Sequence, residues 1–427
     1  IAAGVRYARC SVPTAELPFH KREGTPFFIR FLARSEESGL ESARNTTGRR
    51  GEMLGQLHYW PRTWIETGCL AFAISALSMP IAIWFLRRFG VIDKVSNEKL
   101  HALPVPRGGG VVMFVAFAVA ALRPHYFSTP MKGVMIGAFV CLLVGAIDDL
   151  RGGIPAVWKF LTLAIVTAVL SRYGVVLKLA GYYPVDFALT LLWIVGVTSA
   201  FNALDNMDGL ASGTAIIVAV MYLVIAVQAY LRAGTETSLS WFGMMAAALI
   251  GANLGFLLFN FRPARIFMGD SGSFFLGFIL SALGVMGEWS EHRISSTAIP
   301  VLILGVPVFD FAYILVARVL RGETRTIRQV IEHCALDHLS HRLMWIGFSQ
   351  RKAVLFIYLI AFVLGVSGIL LSNSRSALDT ALALAQGLSV VVIVVVLMAT
   401  AERRHLEAVR TEVRKFRSTR SDDAPEA

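Results

Sequence analysis

The chain has 427 residues, 56% of them hydrophobic and only 16% charged, with a formal net charge of +11. A soluble domain carries about 25% charged residues, so an ordinary soluble globule is excluded. Nucleic-acid binding is excluded too, because the bases stand in short segments between long apolar runs, as membrane orientation requires.

Residues 1–65 read as an N-terminal tail. The chain opens at Ile1, its first methionine is Met53, and residues 1–52 hold no signal-peptide core. That stretch is expected to be upstream sequence or a dispensable, disordered tail. The four cysteines (Cys10, Cys69, Cys141, Cys334) have neither disulfide-framework nor zinc spacing.

Residues 66–400 read as one polytopic domain. Apolar segments lie within 67–86, 109–122, 132–147, 156–171, 186–201, 212–231, 241–259, 272–287, 297–317, 353–372 and 378–399. An apolar run of roughly 18 residues or more reads as a transmembrane helix; these ranges are approximate centres of such runs, and the second and third are short. The expected fold class is therefore all-α, with about eleven transmembrane helices and no internal repeat. Twenty-three Lys and Arg follow odd-numbered segments and seven follow even-numbered ones. The positive-inside rule puts the odd-side loops and the basic tail 401–427 in the cytoplasm. Ten further bases precede the first segment, on the opposite side; long tails report orientation poorly.

The chemistry-bearing motifs all follow odd segments. His101 to Gly110 is a Pro- and Gly-rich stretch that includes Arg107. Irregular backbone near lipid must be covered by protein or line a cavity. Asp148 and Asp149 end the third segment. Adjacent carboxylates repel unless a cation or a shared proton relieves them, or unless both simply face water. Asn202, Asp205 and Asp208 are spaced i, i+3, i+6 and share one side if the helix continues. Three oxygen-bearing side chains suit a hard cation or a polar ligand; a polar helix cap is the plainer reading. Asp270 stands between Gly269 and Gly272, just before an apolar helix. There a carboxylate could share an anion site with backbone N–H groups, through Mg²⁺, or merely cap the helix. Asp310 is an acid within the ninth segment, a functional candidate or a partner for Arg318. Asp337 to Arg342 holds His338, His341 and Arg342, which suit phosphates; a basic loop is also the default on this face.

Gathered on one face, these carboxylates, bases and glycine-flanked turns fit Mg²⁺-assisted phosphoryl transfer between a soluble nucleotide and a lipid. In their order the motifs resemble the polyprenyl-phosphate N-acetylhexosamine-1-phosphate transferases, over roughly 66–400. The matches are Pro106 to Gly109, Asp148-Asp149, Asn202 to Gly209, Gly269 to Ser273 and His338 to Arg342. The resemblance implies a bacterial inner-membrane enzyme with a cytoplasmic site. It implies transfer of a sugar-1-phosphate, GlcNAc-1-phosphate by the form of the His loop, from a UDP-N-acetylhexosamine to polyprenyl phosphate, releasing UMP. Asp270, with Asp205 or Asp208, would hold Mg²⁺, or Mn²⁺ in its place. Asp148, Asp149, Asp205 and Asp208 would take part in catalysis. Asn202, His338, His341, Arg342, Arg107 and His101 would bind substrates, and a homodimer is compatible. Ser340 stands where the family often carries a further histidine. The muramoyl-pentapeptide branch of the superfamily is the nearest alternative. A secondary transporter is the rival from another class, disfavoured by acids at span ends and the lack of a repeat. A CDP-alcohol phosphotransferase fails because Leu-Ala-Ser-Gly follows Asp208-Gly209.

Overall fold

The computed structural model describes residues 46–93, 104–123, 128–233, 238–287, 289–290, 292–322 and 338–422. The chain divides into two units, Ile1–Gln56 and Leu57–Ala427. Of the first, only the start of a helix is described; the second carries the apolar helices and the site.

The described residues are helical throughout but for one two-stranded ribbon, which makes the protein an all-α polytopic membrane protein. In chain order the elements are α1 (Thr46–Arg88), β1 (Ile92–Asp93), β2 (Val105–Pro106), α2 (Gly109–Leu122), α3 (Thr129–Arg151), α4 (Ala156–Arg172) and α5 (Tyr183–Leu204). Then come α6 (Leu210–Ala233), α7 (Ser238–Asn260), α8 (Gly269–Met286), α9 (Arg293–Ile303), α10 (Gly305–Leu320), α11 (Leu339–Trp345), α12 (Gln350–Ser372) and α13 (Ala377–Asp422).

Eight of these helices are long and apolar enough to cross a membrane, or nine if α9 and α10 together make one span. The expected count of eleven is not met, for a reason of length. A hydrocarbon core of about 30 Å needs about 20 helical residues. α2 has 14 and α4 has 17. The ninth expected span is broken into α9 and α10, which meet at 85°. The first span is Tyr59–Arg88 and starts before residue 66; α13 runs unbroken through residue 400.

α8 is the central helix. Nearly all its side chains are buried, and it packs against α2, α3 and α5. That contact depends on small residues. A Cβ on Gly145 of α3 would strike the backbone of Asp270 and Ser271, so only glycine lets the acid-bearing ends of α3 and α8 meet. α6 and α12 anchor the other flank, with α7 and α9 against them and α13 against α12. α1 lies along α7, where Trp64 donates to the Ser240 carbonyl and Ser75 to that of Ala252. Apolar side chains on the outer faces of α1 and α13, among them Leu77, Trp84, Leu382 and Ile393, are exposed, as a lipid-facing surface requires.

Candidate active site

Residues 105–108 of the irregular segment after α1 are bound to neighbouring protein backbone. β1 and β2 pair antiparallel, Ile92 with Pro106. The chain beyond β2 then hydrogen-bonds to the loop before α8: Phe267 donates to the Pro106 carbonyl at 2.8 Å, and Gly109 donates to the Phe267 carbonyl at 3.0 Å. This pairing carries Arg107 to the start of α8.

Three carboxylates meet there. Ligand atoms of Asp148, Asp149 and Asp270 all lie within 4.8 Å of one another. Two cations neutralise them in part. Arg107 Nε is 2.7 Å from Asp149 Oδ1, and its Nη2 is 2.5 Å from Asp270 Oδ1. Lys159, in the first turn of α4, is 3.0 Å from Asp148 Oδ1 and pairs closely with Asp270 Oδ2. The ends of α3 and α5 and the starts of α2, α4 and α8 thus converge, so loops after odd-numbered segments gather at one end of the bundle.

Asp149 does not simply face water. Its Oδ1 accepts the Asp270 backbone N–H at 2.8 Å and its Oδ2 that of Ser271 at 3.0 Å. The N-terminus of α8, expected as an anion site beside Asp270, is therefore capped from outside by Asp149. Gly269, at φ 74°, makes the turn, and a Cβ there would strike the Asp149 carboxylate. Asp148 is buried and accepts the Ile154 N–H at 2.7 Å.

The stripe of Asn202, Asp205 and Asp208 does not continue as a helix. α5 ends at Leu204, and Asp205 stands at its C-cap. The turn closes on Gly209, at φ 79°, whose N–H donates to Asn260 Oδ1 at 2.9 Å. Asp208 turns to the loop before α8, accepting the Ala264 N–H at 3.2 Å, and Asn202 accepts from Ser273 Oγ at 3.0 Å. Asp205 lies in the field of the acid cluster. Burial first, then the negative charge of Asp270, with Asp149 and Asp208 adding and Arg107 opposing, hold its carboxyl well above the usual carboxylate range.

In the His loop, residues 323–337 and, earlier, His101 lie outside the described residues. His338 opens α11, with Nδ1 2.9 Å from Asp310 Oδ2, so the acid within the ninth segment pairs with a histidine. Ser340 donates to Asn206 at 2.7 Å, and buried His341 is 3.3 Å from Ser340 Oγ. Arg342, expected at substrate phosphates, is only 1% exposed. Its Nη1 is 2.6 Å from Glu402 Oε2 on α13 and donates to the Met398 carbonyl, and its guanidinium lies over Tyr313 and Trp345. It fastens α11 to α13.

Four features of this assembly have no counterpart in the motifs: Lys159, Asn260, Glu402 and the Asp310–His338 pairing. Lys159 had a signal, as the lone base inside the apolar stretch 156–171, since an ionisable group in such a helix is a site candidate. The others are far apart in sequence and carry no local pattern.

The donor set suits a hard divalent cation: Asp148, Asp149 and Asp270 offer carboxylate oxygens, and these three acids outnumber Arg107 and Lys159.

Comparisons with known proteins identify the family. The model of the family described as Glycosyl transferase family 4 matches residues 131–288, which hold the acid cluster apart from Arg107. A probable undecaprenyl-phosphate N-acetylglucosaminyl 1-phosphate transferase of Bacillus subtilis is 35% identical over 322 residues, 71% of this chain and 85% of that protein. A decaprenyl-phosphate N-acetylglucosaminephosphotransferase of Mycolicibacterium smegmatis is 32% identical, over 64% of this chain and 73% of its own length. A phospho-N-acetylmuramoyl-pentapeptide-transferase of Desulfitobacterium hafniense is 28% identical, over 73% of this chain and 98% of its own length. With a relative above 30% identity matched over most of its length, and a polar site built at one end of its apolar helices, the chain belongs to the polyprenyl-phosphate N-acetylhexosamine-1-phosphate transferases of glycosyl transferase family 4 and is a phosphotransferase.

Proposed function

We propose that the protein transfers GlcNAc-1-phosphate from UDP-GlcNAc to a polyprenyl phosphate, releasing UMP and leaving a lipid diphosphate sugar that starts a cell-envelope glycan. The observation that carries this is the cluster of Asp148, Asp149 and Asp270 crossed by Arg107 and Lys159. It offers negative charge for a metal and positive charge for phosphates at the end of helices that face lipid. The relatives named for GlcNAc transfer are the more similar ones, which favours that branch over the muramoyl-pentapeptide reading.

Asp270, with Asp205 and Asp148, would hold Mg²⁺ (or Mn²⁺), which when bound offsets diphosphate charge and polarises phosphoryl oxygens. Arg107 and Lys159 orient the diphosphate through charge-assisted hydrogen bonds. Asp149 keeps the first turn of α8 in place. An oxygen of the lipid phosphate attacks the β-phosphorus, and the bond to the UMP oxygen breaks. A monoanionic lipid phosphate gives up its proton to water as it attacks. His338 and His341, across the turn from Asp205, meet the phosphates of the nucleotide. The positive-inside pattern supports a bacterial inner-membrane location with this end of the bundle in the cytoplasm.

The test is transfer of label into the organic phase when membranes holding the protein are incubated with polyprenyl phosphate, Mg²⁺ and each of several radiolabelled UDP-N-acetylhexosamines. Mg²⁺-dependent transfer from UDP-GlcNAc, lost in Asp270→Asn, is the expected result. No transfer from any donor by folded, inserted protein would overturn the reading.

A further inference from the structure

Asp310 lies outside the three-carboxylate cluster and is 4% exposed, on α10 just beyond its 85° bend with α9. A buried carboxylate is costly unless its oxygens are bonded. Both are. Oδ1 accepts the backbone N–H of Leu339 at 2.8 Å, and Oδ2 lies 2.9 Å from His338 Nδ1. Since an ionised carboxylate only accepts, Nδ1 is the donor, and Nε2 is the ring atom left for a ligand. The same short helix is tied to the turn that carries Asp205. Ser340 donates to Asn206 at 2.7 Å, and Leu339 shares an apolar cluster with Leu204 and Met207.

We propose that Asp310 is the positioning residue of His338: as a carboxylate behind Nδ1 it fixes the ring and its tautomer, so that Nε2 is the atom presented to the nucleotide-sugar. This rests on the transfer reaction proposed above. Asp310 touches no substrate itself. A merely structural Asp310 would serve only to cap Leu339, and the two roles separate in Asp310→Asn. The asparagine oxygen can still accept from Leu339, but its NH₂ then faces Nδ1. The ring must then accept at Nδ1 and hold its proton on Nε2, so the tautomer presented to the nucleotide-sugar is reversed.

The experiment uses the full-length protein in detergent, with Asp310→Asn, His338→Gln and the double variant, each checked by thermal unfolding. Asp310→Asn is expected to unfold near the wild-type temperature and to lower kcat by about tenfold or more, with a smaller change in KM for the nucleotide-sugar. In the His338→Gln background the same substitution is expected to cost nothing further. Histidine ¹⁵N spectra, with the His338 signals identified by their loss in His338→Gln, are expected to show a protonated Nδ1 in the wild type and an unprotonated one in Asp310→Asn. Equal kcat losses in both backgrounds, a wild-type kcat in Asp310→Asn, or an unprotonated Nδ1 in the wild type would overturn the proposal. A wild type that transfers from no nucleotide-sugar overturns the reaction instead, and the Nδ1 signal then still decides whether Asp310 holds the ring.

Discussion

Asp149 Oδ1 accepts the backbone N–H of Asp270 at 2.8 Å, so the C-terminal end of α3 caps the N-terminus of α8. The bond fixes where Asp270 stands and gives one member of the adjacent acid pair a structural task. Asp149→Asn keeps one acceptor and Asp149→Ala keeps none. Thermal unfolding should show Asn as the milder change and Ala as a loss of about 1–2 kcal/mol, with transfer falling in both. An alanine variant as stable as the wild type would show that the cap is idle.

Lys159 stands between Asp148 and Asp270. Lys159→Met leaves these buried carboxylates with less positive charge and removes a phosphate-orienting cation. Transfer should fall by about 100-fold or more, while Lys159→Arg should restore only part of it, because a planar fork replaces a compact ammonium. Full activity in the methionine variant would remove Lys159 from the site.

Metal removal should be visible in stability as well as activity. If Mg²⁺ is held by the folded acid cluster as proposed, then at 100 times its dissociation constant it would add about 2.7 kcal/mol. The unfolding temperature in excess chelator should sit below that in Mg²⁺, and Asp270→Asn should abolish the difference. An equal Mg²⁺ effect in the variant would place the ion elsewhere.

Asp205 gives a pH dependence with a definite sign. Its folded-state pKa lies above the unfolded value of about 3.9, so in metal-free protein the folded state binds the proton more tightly. Stability from this group is unaffected below the unfolded value and declines as pH rises through the window up to the folded one. Metal-free Asp205→Asn should therefore gain stability over the wild type at neutral pH and match it near pH 3. Urea unfolding across that range measures it; a constant difference would contradict the sign.

Glu402 and Arg342 fasten α11 to α13. Arg342 is almost wholly buried, so Glu402→Ala, which removes the carboxylate that Arg342 and Arg321 share, should cost about 3 kcal/mol. Replacing both residues by apolar ones should recover most of that. If the single alanine variant is as stable as the wild type, the pair is not what holds α11.

Composition and the length of the apolar runs determined the class of this protein, since lipid solvates only long helices that satisfy their own backbone. The local spelling of Asp148-Asp149, Asn202 to Gly209 and Gly269 to Ser273 marked where the chemistry gathers. The side of the bundle came from the lysines and arginines. What the residues do to one another was left to the tertiary structure. Asp149 became a cap and Arg342 a buried fastener, Asp310 found His338, and Lys159 entered the acid cluster. Each of those outcomes depends on a partner far away in sequence, brought close by packing. The count of spans was decided there too, because a run of apolar letters gives composition but not the place where a helix stops or turns, as the bend between α9 and α10 does.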